Sequence, residues 1–342
     1  MSDAVSGHAV SDDIRLSGLF TADAAGRLLI GGRPAADLVD EAGDTPLFVY
    51  DAGIVDRHIA RLRAAMPADI ELHYAIKANP FAPLLRHVAG LVDGLDIASA
   101  GELDMALTTG TNPADISFAG PGKRDRELMA AIAAGVTLNI ESAGELDRAI
   151  AIAARQDRPL RAALRINPPF DLKGSGMRMG GGAKPFGVDA DLAPALLERM
   201  HDADVEFRGF HVFAGSQNLN ADALIEAQRQ TVALIADLAE HAPVPPPTAN
   251  IGGGFGLPYF PGDVPLDIER IGDALAATLA ARPDGLRHTR FILELGRYLV
   301  GDCGVYLTRI VDRKLSGDQT YLVTDGGLHH QLAASGNFGT VI

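Results

Sequence analysis

The 342-residue chain has one cysteine, Cys303, and no tryptophan. A single thiol excludes any intrachain disulfide, and with it the small secreted scaffolds that depend on them. Cys303 is read as a packing residue. Long apolar runs are missing too: no stretch approaches the roughly 20 residues that a membrane-spanning helix needs. Basic residues number 30 against 44 acidic ones, a net charge of −14. That argues against a general nucleic-acid binder with a basic face. The start, "MSDAVSGHAVSDDIRL", carries acids where a secretion signal has basic residues and then an apolar run. These absences predict a soluble cytoplasmic protein. What remains is 47% hydrophobic and 22% charged, enough for a sizeable core in one or two domains.

Short β-rich runs alternate with Ala/Leu-rich stretches of helical period, beginning with a helix over 53–66. Strands are predicted at 71–77, 94–99, 116–121, 137–142, 161–167, 207–216, 248–254 and 291–297. Eight strands alternating with helices predict an α/β fold, a (β/α)8 barrel over 46–300, with a doubly wound open sheet as the rival. Beyond residue 300 the texture changes. "GVYLTRIVDRKL" (304–315) and "TYLVTDGG" (320–327) read as two successive strands joined by "SGDQ". Residues 301–342 are therefore expected to begin a C-terminal β domain, with 1–45 contributing to it. So few strands would leave open edges, and the chain is expected to be a fragment.

Active sites of such barrels lie at the C-terminal strand ends. There the sequence places Lys77, Asp96, Glu141, Arg165, His211 to Ser216, Gly252 to Gly254, and Glu294 to Arg297. Lys77 closes "ELHYAIK"; alone it is a solvated lysine at a strand end. "NIGGGFG" after strand seven lets backbone N–H groups approach an anion, although a Gly-rich turn alone is weak evidence and no Gly-Lys-Ser/Thr follows. Ser216 offers a hydroxyl to the same anion, or caps a helix. Glu294 beside Arg297 could be a structural ion pair. Combined, they suggest more. A desolvated amine forms Schiff bases, and with a phosphate cradle across the barrel it implies pyridoxal 5′-phosphate. A carboxylate at the pyridine nitrogen would keep that nitrogen protonated.

The ordered stretches "YAIKAN", "GLDIASAGEL", "NIESAGEL", "LRINP", "KPFG", "GSQ", "IGGGFG" and "ELGRYLVG" resemble the pyridoxal-phosphate decarboxylases of fold type III, the ornithine/diaminopimelate/arginine decarboxylase group. "FAGPGKRD", "KGSGMRMGGGAKPFG", "FHVFAGSQNL" and "TDGGLHHQLAASGNFG" look most like the branch associated with exosortase A systems. The resemblance implies a decarboxylase of an amino acid or amino-acid conjugate, tethered in one reading to a carrier protein. It makes Lys77 the Schiff-base lysine and Glu294 the pyridinium partner. Ser216, Gly253, Gly254, Gly296 and Arg297 would hold phosphate; Asp96 and Arg165 would line the cofactor. Phe213 stands where the family often has a stacking histidine. Arg297, Asp325, His329 and His330 are candidate substrate contacts. Family members are typically homodimers with shared sites.

Two departures bear on substrate. Diaminopimelate enzymes carry an arginine and a tyrosine soon after the stretch matched by Asp325-Gly326-Gly327, where this chain reads Leu328-His329-His330-Gln331-Leu332-Ala333-Ala334. The family's cysteine motif and phosphate-binding tyrosine are expected beyond Ile342. A racemase on this scaffold, which puts arginine at the pyridine nitrogen, and a non-catalytic homologue remain alternatives; Glu294 opposes the first and Lys77 with "IGGGFG" the second. The Gly-rich loop 168–189, with Lys173, Arg178 and Lys184, reads equally as a lid or a solvated loop. Adjacent His329 and His330 are not metal-spaced, since on a strand their side chains diverge, and no metal site is expected.

Overall fold

The computed structural model describes residues 18–260 and 262–331. The chain forms two compact units, Val55–Gly301 and the pair of segments Met1–Ile54 with Asp302–Ile342. Among the described residues no helix is long and apolar enough to cross a membrane.

The first unit is a closed parallel barrel. Its strands are β1 (Glu71–Ala75), β2 (Gly94–Ile97), β3 (Ile116–Phe118), β4 (Thr137–Ile140), β5 (Arg161–Asn167), β6 (Glu206–Val212), β7 (Thr248–Gly253) and β8 (Arg290–Leu295). Each pairs in parallel with its sequence neighbours, and β8 returns to β1, with Glu294 opposite His73. That closure decides against the open sheet. The strands are short and nearly all buried, as expected when both faces are covered.

The helices form where a cap meets an apolar stripe. The sequence Ser-Ala-Gly-Glu-Leu occurs twice, at 99–103 and 142–146, and builds the same junction twice. Ser99 Oγ accepts the Glu102 N–H at the start of α1 (Ala100–Leu107). Ser142 Oγ accepts the Glu145 N–H at the start of α2 (Ala143–Gln156). Each cap satisfies a backbone donor that the first helical turn leaves open and fixes where the preceding strand stops. In α2, Leu146, Ala149, Ile152 and Ala153 recur at helical spacing and are buried against the barrel. Burying Leu146 and Ile152 stabilises the packing by about 1.5–3 kcal/mol each.

The second unit is built from short antiparallel pairs. Strand Leu47–Tyr50 pairs with Gly304–Leu307, and strand Ile310–Ser316 pairs with Gln319–Thr324. The run expected as one strand over 304–315 is thus two strands in two sheets, divided at Thr308-Arg309. The turn after it is also tighter than "SGDQ", with Gly317 at φ +59. Ile310, Val311, Leu315, Tyr321, Leu322 and Val323 are exposed on this hairpin. Cys303 is fully buried and burial pushes its thiol up to about 11, so it packs and does not react.

Candidate active site

The structure moves Lys77 off the strand. β1 stops at Ala75 and Lys77 lies in a 3-10 turn, Ile76–Ala78. The cause is local. Pro80 disfavours a helical Asn79 and cannot donate to a ladder. The Asn79 carbonyl accepts the Tyr74 hydroxyl at 3.0 Å, and Asn79 Oδ1 accepts the Phe81 N–H at 3.1 Å. Ile76 is fully buried and pins the turn, so Lys77 is turned toward the strand ends. There its ammonium lies 5.8 Å from the centroid of the Phe213 ring. Lys77 is exposed, because the cleft opens to solvent; the expected desolvated amine is not found.

That cleft, a cavity of about 100 Å³, is lined by Lys77, Asp96, Arg165, Phe213 and Glu294, together with His211, Met179 and Phe186. Five of the residues singled out from sequence therefore meet in one place. Ser216, Gly253, Gly254, Gly296 and Arg297 do not line it. Ser216 pairs with Met177 in a two-residue ladder, and the N-cap of the following helix α3 (Ala221–Ala239) is Asn220, so Ser216 is not a cap. Arg297 is exposed and faces the Tyr259 ring at 5.8 Å.

Glu294 sits at the buried end of the cleft. His211 Nε2 is 2.9 Å from its Oε2, and Asn250 Nδ2 is 3.5 Å from the same oxygen. Burial opposes its ionisation. The His211 hydrogen bond, with charge from His211, Lys77 and Arg165, overrides burial and holds the carboxyl down at about 2. A β-bulge in β7 brings Gly253 opposite Glu294 in register. Gly252 and Gly254 take φ +69 and +80. A Cβ at Gly253 would collide with the Glu294 carbonyl oxygen, and one at Gly254 would lie 2.8 Å from the Gly215 carbonyl oxygen. Only glycine lets these backbones come so close.

Arg165 donates to Glu141 Oε1 at 2.8 Å and its guanidinium lies 5.2 Å from the Phe186 ring centroid. Asp96 accepts the Ser117 hydroxyl, and its other oxygen is 3.5 Å from His73 Nδ1. His73 is a core histidine whose pKa is raised: burial lowers it, and the charge of Asp96 more than compensates. The loop 168–189 is tied down at two points. Met177–Arg178 pairs with Gly215–Ser216, and Val188–Asp189 pairs in parallel with Ile166–Asn167 at the end of β5. Lys173 is exposed and Lys184 half-buried, neither lining the cleft, and the Arg178 side chain lies outside the described residues.

Asp325, His329 and His330 belong to the second unit. Asp325 accepts the Thr45 hydroxyl and the Arg309 N–H. The histidines lie on a 3-10 turn, Leu328–His330, not a strand, so their side chains do not diverge; the rings are 3.9 Å apart. His330 Nδ1 meets the Tyr306 hydroxyl at 2.5 Å. Of the stretch 328–334 that the sequence ties to substrate, residues 332–334 lie outside the described residues.

The cleft fits the ring of pyridoxal 5′-phosphate: an amine, an ionised carboxylate at the far end and an aromatic face. Comparison with known proteins agrees. Residues 52–301 match the family model "Pyridoxal-dependent decarboxylase, pyridoxal binding domain". The L-glutamyl-[BtrI acyl-carrier protein] decarboxylase of Niallia circulans is 34% identical over 295 residues, 85% of this chain and 69% of that protein. The diaminopimelate decarboxylase of Methanothermobacter thermautotrophicus is 33% identical over 294 residues, 83% and 67% of the two chains. Among solved structures, a diaminopimelate decarboxylase from M. jannaschii superposes with a TM-score of 0.83 at 26% identity, covering 94% of this chain and 76% of that one. A family model matched through the whole barrel, with relatives a third identical across it, shows that the chain belongs to the pyridoxal-dependent decarboxylases of fold type III, enzymes that use pyridoxal 5′-phosphate to remove an amino-acid carboxylate.

Proposed function

We propose that Lys77 holds pyridoxal phosphate through its amine and that Glu294 is the partner of the ring nitrogen, so that the cleft decarboxylates an amino acid carried on a protein. The observation that carries the reading is the sharing of one cleft by Lys77, Phe213 and Glu294, with the Glu294 carboxylate held at its buried end by His211. Bound pyridoxal phosphate supplies a conjugated ring that takes up the electron pair left when CO2 departs. Glu294 keeps a proton on the ring nitrogen by staying anionic through neutral pH. Phe213 replaces the family's histidine with an apolar aromatic face, which still stacks. Asp96 and Arg165 set the charge of the wall. The backbones of Gly253, Gly254 and Gly296, with Ser216 and Arg297, are assigned to the phosphate. A carboxylate at the ring nitrogen opposes the racemase alternative, which needs an arginine there.

Similarity to a decarboxylase named for a carrier-bound glutamyl group supports the tethered substrate. So does the lack of an arginine at 328–334 to grip the distal carboxylate of diaminopimelate. On the family resemblance we also read the enzyme as a cytoplasmic homodimer.

The test is borohydride reduction of the full chain with pyridoxal phosphate, followed by peptide mass spectrometry. A phosphopyridoxyl group on Lys77, absent from Lys77→Ala, is expected. A reduced adduct on another lysine, with Lys77 unmodified, overturns the assignment.

A further inference from the structure

Glu141 is buried, and its carboxylate joins three segments of the barrel mouth. Oε1 accepts the Arg165 guanidinium at 2.8 Å and also the Gly120 N–H in the β3 loop. Oε2 accepts the Gly187 N–H at 3.1 Å. Gly187 follows Phe186, whose ring faces the Arg165 guanidinium, and both Phe186 and Met179 of the 168–189 loop line the cleft. Gly187 has φ +75, and a Cβ there would lie 2.8 Å from the Asn167 nitrogen, so the loop passes β5 at a point only glycine permits. Behind Glu141, Lys123 is 4.0 Å away but directed to Glu145 at 2.6 Å and to two backbone carbonyls. Glu141 is thus left to Arg165 and the loop. Its carboxyl is held below the usual range: burial raises it, and the charges of Arg165 and Lys123 more than compensate. It touches neither the open cleft nor Lys77, and lines no part of the pocket.

We propose that Glu141 is the positioning residue of this site, one oxygen fixing Arg165 on the cleft wall and the other holding Gly187, so that guanidinium and loop are set together. The inference rests on the cleft being the cofactor site. A carboxylate is needed because both oxygens accept from N–H donors. Glutamine presents one acceptor and one donor, so it keeps the links of one oxygen, either Arg165 with Gly120 or Gly187, and repels the N–H groups at the other. Arg165 is then free to leave the wall, or the loop to lift at Phe186-Gly187. Either outcome loosens the loop, whose trypsin site after Arg178 is held in the ladder with Gly215, and weakens retention of pyridoxal phosphate.

The experiment uses the full chain, wild type and Glu141→Gln, with and without pyridoxal phosphate. Three quantities are measured: cofactor affinity by fluorescence, tryptic cleavage within 168–189, and kcat with KM. Glu127→Ala, which loosens a helix cap away from the cleft, controls for general destabilisation. Expected for the wild type is cofactor-dependent protection of the loop. Expected for Glu141→Gln is loss of that protection and affinity about tenfold weaker, the loss of one charge-assisted hydrogen bond. Arg165→Lys should show no further loss in the double variant, because the two act as one unit. If Glu141→Gln fails to fold, Glu141→Asp is used; its shorter carboxylate reaches one partner and should give partial protection. Equal loop protection and equal affinity in wild type and variant overturn the inference. A wild-type chain that binds no cofactor at Lys77 fails the underlying reading instead, and borohydride labelling separates the two.

Discussion

Replacing Glu294 by glutamine removes a buried charge of the site while keeping its shape. In the folded chain the carboxyl is held at about 2, against 4.5 for an ordinary glutamate. At about 1.4 kcal/mol per unit, ionisation in this setting is favoured by about 3 kcal/mol. A lowered folded-state pKa contributes stability that is fully present above the unfolded value near 4.5 and is lost as pH falls through about 2. Glutamine does not titrate, so the variant should show a flatter loss of stability across that acid window. At neutral pH the effect moves to the positive groups. Buried Arg165 loses a nearby anion, and stripping one partner from a buried pair costs about 3–5 kcal/mol. Arg165 keeps Glu141, which favours the lower figure. A neutral amide also cannot hold the proton on the cofactor's ring nitrogen. About 3 kcal/mol at the transition state is a loss of roughly a hundredfold in kcat. The assay is CO2 release, with cofactor occupancy measured on the same sample. A rate within about threefold of wild type at full occupancy, a loss of under about 1 kcal/mol, would refute the electron-sink reasoning for this chain.

Other substitutions probe separate links. Lys77→Ala should abolish both the borohydride-stable adduct and decarboxylation, with melting temperature little changed because the side chain is exposed. Gly254→Ala should cost about 1–2 kcal/mol for an L-residue at positive φ, more for its 2.8 Å approach to Gly215, and should weaken pyridoxal phosphate binding in titrations. In Glu127→Ala the carboxylate that accepts the Arg124 N–H at 3.0 Å is lost; about 1 kcal/mol of capping should lower the melting temperature by roughly 2–4 °C and leave kcat unchanged. Lysine release from meso-diaminopimelate should be slower than decarboxylation of carrier-bound glutamate; the reverse order would remove the substrate reading.

The barrel is legible because its signals are local and repeat. Eight β-rich runs, each closed by a cap, a glycine or a proline, predict eight strands whose observed starts lie within a residue of expectation, as at Glu206 against 207 and Arg290 against 291. Strand ends are less accurate. Lys77, Ser99, Glu141 and Ser142 read as strand from sequence alone, but Pro80 and the two serine caps stop the ladders earlier. The region after 300 misleads for a related reason. Alternating apolar residues do not say which partner a strand takes, so 304–307 and 310–316 read as one run although they pair in different sheets.

The site is legible only where a residue type is rare at its position. A lysine at the first strand end, a glutamate at the eighth and three successive glycines at the seventh are unusual enough to stand out. Glu141, His211 and Asn250 are not, because each acts on another side chain and nothing in composition separates such a residue from an ordinary paired one. From sequence Glu141 stands only among the strand-end residues; in the structure it pairs with Arg165, and its second oxygen reaches Gly187, 46 positions along the chain. The usable signal is present in "KPFG". Glycine after an aromatic, beyond a Gly-rich loop, implies a close backbone approach, and a close approach at a barrel mouth leaves an N–H that must find an acceptor. The acceptor it finds is Glu141, at the end of β4. What connects the loop to the cleft is therefore the pairing of buried donors with acceptors, which a residue's type alone does not reveal.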